Sequence, residues 1–492
     1  MENLVQDPRL VATNNLKENN SIGSVIFQEH FPITPISASS QDQVEFVVPA
    51  NSNGLIDLKG SYIVSGLALK VGGGADAPTS WLPTYTPSFK ENIGDVLWKD
   101  VKIFINGVEV QDNHPNLYHH SAFYKRCLDD QGGNGTSTLY NAPRTQSVAA
   151  LSTMLDPPHA RYAGWKGVEG LDLAGDGEIG NQLLVPCDVS ALPSHRAYGV
   201  YRRYEGNAGR NLNPLEVITK LQDGIFNQPF FFPPNCDIRI LLTRSSNLQL
   251  TYSNTSGANE YTEIKSSILY IKRAYPIPSA MEMFNRSLAL SPLVYNLKYT
   301  RIVQRSIPAL TSSIQETNLL NGVVPDRVLV AFLPTLAMTG SYVVSPFISS
   351  GQNNLTLNNT ITSIYVNANG RQYPQRQYSL PMGLNDKRIN GARAYMDYVN
   401  AWAEDNDVFP QDSPPITFDN WCSNYTFFCF DLRNDKLNEN GYTTDLNNRG
   451  SIEVLATQEN GTALVATTML VMGITNAKVF IDANRNVSKQ GF

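Results

Sequence analysis

The residues of this chain that could bind a metal ion are few and scattered. Of the six histidines, only His119 and His120 are adjacent. Neighbouring residues of a helix point about 100° apart, so this pair is poorly placed to share one ion. The spacing favours imidazoles at a surface or an interface over metal ligands. The other four histidines stand alone, at His30, His114, His159 and His195.

Two acidic clusters are candidates for cation binding: Asp172/Asp176/Glu178 and Glu404/Asp405/Asp407. A calcium loop of the EF-hand type needs oxygen ligands at fixed spacing, a glycine and a closing glutamate. The first cluster has Ala174 at a ligand position and lacks the closing glutamate, and the second has no glycine after it. Solvated loops therefore fit both clusters better, with a structural cation as the alternative.

Motifs for nucleotide binding or nucleophilic catalysis are weak or absent. Residues 175–180 match G-x-G-x-x-G, but the stretch follows no strand, and its acidic side chains would repel a pyrophosphate. No G-x-S-x-G and no Walker-type phosphate loop occurs. The number of cysteines is odd and none form a C-x-x-C pair, which argues against zinc and redox chemistry. We therefore predict no catalytic, cofactor-binding or metal-binding residues and no enzymatic activity. The five cysteines are Cys127, Cys187, Cys236, Cys422 and Cys429.

Aromatic side chains are dense at Phe230-Phe231-Phe232 and at Phe427-Phe428. Such residues can form a stacking platform for single-stranded nucleic acid, or they can fill a sandwich core and a subunit interface. No basic cluster lies beside them, and the net charge of the chain is −6. A nucleic-acid-binding domain is usually basic, so the core is the better interpretation. We predict no sequence-specific nucleic-acid binding.

The elements that must position these residues are mainly strands. Val44, Phe46 and Val48 alternate with polar residues, which is the period of a half-buried strand. Residues 101–105 alternate in the same way and stop at Asn106-Gly107, the strongest short signal for a β-hairpin. The spacing of apolar residues then predicts a helix over 116–130.

The second half of the chain repeats this order. A strand over 361–366 leads to Asn369-Gly370, and a helix over 392–404 follows. Residues 327–333 are apolar on both faces, which predicts a central buried strand. Strands over 463–473 and 477–481 close the chain. The repeat indicates a structural duplication of one β-sandwich, although coincidence is the alternative in any all-β chain.

The sequence contains no recognisable signal for secretion or for membrane insertion. The first residues have neither a basic nor an apolar region of a signal peptide. The longest apolar stretch, 463–474, is shorter than the roughly 20 residues that a membrane span needs. We expect a soluble protein, not secreted, made in a reducing compartment.

Five parts of the chain together form a recognisable pattern: 44–58, 100–110 with 118–124, 324–347, 450–454 and 477–485. In their order and spacing they resemble the double jelly-roll major capsid proteins of Polinton-like viruses, adintoviruses and virophages, relatives of adenovirus hexon. The resemblance covers about residues 25–488, with Ser345 where the family more often has asparagine.

This resemblance implies an all-β fold of two tandem eight-stranded jelly-roll β-sandwiches, with a few short helices in loops. It places a flexible N-terminal arm at 1–22, a first jelly roll at 23–284 with a long loop insertion near 131–214, and a second jelly roll at 285–492. The implied function is that of a structural major capsid protein. The alternatives are a carbohydrate-binding or carbohydrate-cleaving β-sandwich and a minor capsid or spike protein.

The same resemblance implies the partners. Three copies would form a pseudo-hexagonal capsomer that tiles an icosahedral shell around a DNA genome. Penton and minor or cement capsid proteins would be further partners, and no cofactor is implied. The protein would be made in the cytoplasm or nucleus of the host cell and would reside in the virion capsid.

Overall fold

Strands dominate the computed structural model of the chain. It describes residues 21–34, 36, 43–50, 54–70, 88–90, 93–129, 215–252, 261–341, 346–347, 361–380, 390–406, 414, 416, 418–423, 425–433, 449–458 and 466–491. The strands are β1 (Ile22–His30), β2 (Gln43–Val48), β3 (Leu55–Lys70), β4 (Ser88–Phe89), β5 (Trp98–Ile105), β6 (Val108–Glu109), β7 (Leu215–Thr219), β8 (Ile238–Arg244), β9 (Thr251–Tyr252), β10 (Tyr261–Pro276), β11 (Leu293–Ile307), β12 (Ser313–Leu319), β13 (Arg327–Pro334), β14 (Ile361–Ala368), β15 (Arg371–Ser379), β16 (Phe427–Asp431), β17 (Ile452–Gln458), β18 (Thr467–Ile481) and β19 (Val487–Gln490). The helices are α1 (Ile93–Val96), α2 (Tyr118–Asp129), α3 (Gly224–Asn227), α4 (Asn247–Leu250), α5 (Pro278–Leu290), α6 (Thr335–Thr339), α7 (Ala392–Asn406) and α8 (Phe418–Ser423).

The strands form two sandwiches with the same connectivity. The first sandwich has sheets in the order β1-β10-β3-β7 and β2-β8-β5-β6. The second has sheets in the order β11-β18-β13-β16 and β12-β17-β14-β15, with β19 added beside β18. When the eight strands of each sandwich are numbered in chain order, leaving out β4, β9 and β19, the two sandwiches have the same strand order in both sheets. All pairings are antiparallel, and the expected fold class of two tandem eight-stranded jelly rolls is confirmed.

Local sequence patterns account for the strands that face the core. Val44, Phe46 and Val48 of β2 are all buried, as their alternation predicts. Every residue of β13 is buried, and this strand lies between β16 and β18, so the prediction of a central strand is confirmed. The prediction of two separate closing strands is wrong, because β18 runs without interruption through residues 474–476 and pairs there with β11.

Both Asn-Gly dipeptides form the predicted hairpins. Asn106 and Gly107 have φ angles of 48° and 80°, and Asn369 and Gly370 have φ angles of 51° and 79°. A two-residue hairpin loop of type I′ requires positive φ at both positions, which asparagine and glycine tolerate best. The two hairpins therefore occupy equivalent places, between β5 and β6 and between β14 and β15.

The helices follow the hairpins as predicted, at α2 and α7. A third long helix, α5, connects the sandwiches, and no pattern described above predicts it. Pro278 begins this helix, a position at which proline's fixed φ is favourable. Of the expected arm at 1–22, residues 1–20 lie outside the described residues and Ile22 begins β1. The insertion near 131–214 also lies outside them. The domain boundaries at 22/23 and 284/285 stay predictions.

Candidate functional site: the junction between the two sandwiches

The helices that follow the two hairpins meet between the sandwiches. The Tyr398 hydroxyl of α7 donates to the backbone oxygen of Cys127 in α2 at 2.9 Å. The Phe123 ring of α2 stacks on Phe347 of the second half, with centroids 4.3 Å apart. Tyr124 packs edge-to-face on Phe427 of β16 at 5.5 Å. Equivalent elements of the two sandwiches thus share one aromatic core, which gives the junction the character of an interior rather than of a surface.

A short backbone bridge ties the first sandwich to β11. The Asn113 amide donates to the Thr300 oxygen at 2.9 Å, and the Ile302 amide donates to the Asn113 oxygen at 3.0 Å. Gly224 of α3 lies beside the same strand, where an added Cβ would come within 2.6 Å of the Lys298 oxygen. Glycine is required here because the two backbones approach so closely. β11 is the outer strand of its sheet, and these contacts cover its free edge.

The first Asn-Gly hairpin also reaches the second sandwich. The Asn106 side-chain amide donates to the Arg485 oxygen at 2.7 Å, and the Arg485 guanidinium donates to the Pro234 oxygen at 2.8 Å. Close by, Phe232 and Tyr295 stack with centroids 4.4 Å apart. The hairpin tip therefore has a second purpose beyond joining two strands, since its side chain docks on the neighbouring sandwich.

A charged cluster, buried except for the partly exposed Asp100, holds the bridging segment. Nε2 of His114 lies 3.0 Å from Oδ1 of Asp223, and Nδ1 lies 3.6 Å from Asp100. The Asp112 amide donates to Asp223 at 3.0 Å, and Lys125 pairs with the Asp112 carboxylate. A second buried carboxylate, Asp95, is paired with Arg126 beside the same helix. Charges buried this deeply are tolerated only when they are paired and hydrogen-bonded, as they are here.

The charge state of His114 follows from these neighbours. Burial alone would lower the pKa of His114, but the carboxylates of Asp223 and Asp100 outweigh burial and raise it to about 10. The imidazole is therefore a cation at neutral pH, held between two carboxylates. Because both ring nitrogens are occupied and the side chain is 3% exposed, the group is suited to positioning the segment around Asn113 rather than to proton transfer with a solute.

His119 and His120 lie inside the junction, 1% and 0% exposed. Their rings are in contact, with centroids 4.2 Å apart, and His120 packs edge-to-face on Phe347. The sequence predicted imidazoles at a surface or an interface, and the structure buries this pair at the contact between the two halves of the chain. Helix α2 is buried nearly all round, and both α7 and Phe347 pack against it. None of the four ring nitrogens has a hydrogen-bond partner among the described residues.

The remaining sequence candidates divide into core residues and residues outside the description. His30, Cys127, Cys236, Cys422 and Cys429 are buried. Phe232, Phe427 and Phe428 are core residues too, whereas Phe230 is 62% exposed, so the dense aromatic segments mostly fill the core. Glu404 and Asp405 fall on α7, without described side chains. His159, His195, Cys187, Asp172, Asp176, Glu178, Asp407 and the 175–180 motif lie outside the described residues.

No group of three or more histidine, cysteine or acidic side chains in the described part of the chain is arranged to hold a metal ion. Within the same residues, no helix is both long and apolar enough to cross a bilayer.

Solved structures with the same fold are found among viral capsids. The chain is similar to a protein in the cryo-EM structure of the Sputnik virophage, with 12% identity over 99% of this chain and 92% of that one, and a TM-score of 0.53. It is also similar to PBCV-1 VP54, fitted into a reconstruction of Sputnik, with 11% identity over 95% and 96% of the two chains and a TM-score of 0.50. The mavirus major capsid protein matches at 10% identity over 100% and 96%, with a TM-score of 0.49.

No protein-family model and no curated protein matches the sequence. At these identities the structural likeness establishes the fold, which is a double jelly roll along almost the whole chain. The resemblance to double jelly-roll major capsid proteins that the sequence indicated is confirmed at this level.

Proposed function

We propose that this chain is a structural, non-enzymatic major capsid protein, three copies of which form a pseudo-hexagonal capsomer. Such capsomers would tile an icosahedral shell around a DNA genome. Penton and minor or cement proteins would be its other partners, and the virion capsid its location after synthesis in the host cytoplasm or nucleus. The two-domain division at 284/285 belongs to the same proposal.

The observation that carries this proposal is the duplicated sandwich with its interior-like junction. The two sandwiches repeat the same strand order and are fixed side by side through the α2–α7 core and the cover on β11. Three such rigid pairs supply six similar corners. An active site, by contrast, needs accessible polar groups, and the charged cluster around His114 is sealed.

Self-association is the decisive experiment. Purified full-length protein is expected to elute at three times the monomer mass in size-exclusion chromatography with light scattering, and negative-stain images are expected to show triangular or hexagonal particles. A protein that stays monomeric at every concentration and salt condition would contradict the proposal. Saturable glycan binding by that monomer would then favour the carbohydrate-binding alternative.

A further inference from the structure

Strand β1 is an outer strand with an apolar, uncovered surface. It pairs with β10 on one side, and no described residue pairs with its other edge. Val25, Ile26 and Phe27 are 48%, 47% and 48% exposed, and because successive side chains alternate, both faces of the strand are open. A long apolar edge strand is prone to pair with other chains, and soluble proteins normally block it or use it.

The counterpart of β1 in the second sandwich is β11, and the face of β11 that meets the first sandwich is buried, whereas Val294 on its other face is 43% exposed. Tyr295, Leu297 and Tyr299 of β11 are 2%, 4% and 6% exposed. They are buried because the first sandwich covers this edge with the segment around Asn113 and with the hairpin whose Asn106 docks on Arg485. Among the described residues, one edge of this kind is therefore covered and the other is not.

Each chain also contains one docked hairpin and one undocked hairpin. The second hairpin tip, at Asn369 and Gly370, is exposed. The Asn369 side chain makes its hydrogen bonds within its own sandwich, to Ser451 and Arg449 at 3.0 Å and 3.4 Å. In contrast, the equivalent Asn106 bonds across the junction. Of the elements that cover β11 in the first sandwich, the described residues of the second sandwich include the equivalent hairpin tip, and no described residue of the first sandwich is bonded to it.

We infer that β1 of one chain is covered by the second sandwich of another copy, with the Asn369–Arg371 hairpin beside the strand. This contact would repeat between chains the contact that the first sandwich makes with β11 within a chain. It is a head-to-tail contact, because two different surfaces meet, and such contacts form closed rings when the rotation between copies allows it. The inference rests on the proposed function, which supplies the second copy.

The charges on the two surfaces are complementary. The hairpin end exposes Arg449 and Arg371, whose guanidinium lies 5.2 Å from the centre of the Tyr373 ring. β1 exposes Glu29 next to its apolar residues. A cationic hairpin end facing an acidic, apolar strand would orient the incoming copy and disfavour pairing of β1 with a second β1.

Site-specific cross-linking tests the contact directly. One preparation carries Ile26→Cys, another carries Arg371→Cys, and the two are mixed under mild oxidation, with wild type as the baseline. The expected result is a disulfide-linked dimer in the mixture and not in either preparation alone. As a matched control, Leu310→Cys, which is 74% exposed in the turn after β11, is expected to give no dimer with Ile26→Cys.

A charged side chain placed on β1 tests the same contact without cross-linking. Ile26→Lys is expected to convert the trimer to monomer with an unchanged far-UV spectrum, whereas Leu310→Lys stays trimeric. A trimeric Ile26→Lys variant, or an Ile26→Cys preparation that cross-links with itself, would overturn the inference while leaving the capsid proposal standing. A wild-type protein that never associates would overturn both.

Discussion

Acidification is expected to destabilise the junction through His119 and His120. Burial holds the pKa of His119 at about 3, with the nearby positive charges of His114 and Lys90 acting in the same direction. Burial likewise holds the pKa of His120 well below its usual 6.5. The folded state therefore keeps both imidazoles neutral, whereas the unfolded chain protonates them near pH 6.5. Their contribution to stability is complete above pH 6.5 and is lost as the pH falls toward 3.

The size of the effect follows from the difference in pKa. One pKa unit corresponds to about 1.4 kcal/mol, so at pH 4.5, two units below the unfolded value, His119 alone removes ~2.7 kcal/mol from the free energy of unfolding. His120 adds a loss of the same sign. Total stabilities of domains are roughly 5–15 kcal/mol, so this loss is large enough to measure.

The assay is urea unfolding at pH 7 and at pH 4.5, at one protein concentration, followed by tryptophan fluorescence. Trp98, Trp402 and Trp421 are buried and report on the cores. The double variant His119→Leu/His120→Leu is the reference, since other groups that titrate in this range are common to both proteins. Wild type should lose at least about 2.7 kcal/mol more than the variant between the two pH values. Equal losses would refute the assignment of buried, neutral imidazoles.

Three further changes probe the junction and the hairpins by the same unfolding assay. Because the pKa of His114 is raised to about 10, the contribution of this side chain to stability is complete below pH 6.5 and declines as the pH rises. Between pH 6.5 and 9.5, the free energy of unfolding of the wild type should fall by ~4 kcal/mol more than that of His114→Gln. Equal losses in the two proteins would contradict this prediction. Phe347→Ala removes the ring stacked on Phe123 and is expected to cost about 3–5 kcal/mol, whereas a loss below 1 kcal/mol would show that the junction is loosely packed. Gly107→Ala and Gly370→Ala should each cost about 1–2 kcal/mol, and by similar amounts, because both positions have positive φ and open space around them.

Local patterns in the sequence were sufficient to predict the main strands and helices and the repetition of their order. The two Asn-Gly hairpins depend on the φ angles of two adjacent residues, and β13 depends on a continuous apolar run. A few consecutive residues are therefore enough to predict each of these features. The predicted helices α2 and α7 are also present. Helix α5 escaped prediction because Pro278 can either break a segment or begin a helix, and the sequence around it does not decide between them.

The contents of the junction could not be predicted in this way. His114 and Asp223 are 109 positions apart, and only the packing of α3 against the segment around Asn113 brings them together. The burial of His120 involves Phe347, more than two hundred positions further along the chain, whose ring packs edge-to-face on it. Spacing within one helix says which residues share a face, but not whether a second helix will cover that face.

Helix α5 connects the two sandwiches covalently but contributes little to the packing that holds them together. It carries the polypeptide from one sandwich to the other, yet of its 13 residues only Leu288 is buried. The halves adhere through the α2–α7 core and the β11 cover instead, so a protease cut in α5 should leave a nicked protein that migrates as one particle. What the linker supplies is stoichiometry, because fusing the two sandwiches guarantees that every first sandwich arrives with one second sandwich, in a fixed order around any ring that they build.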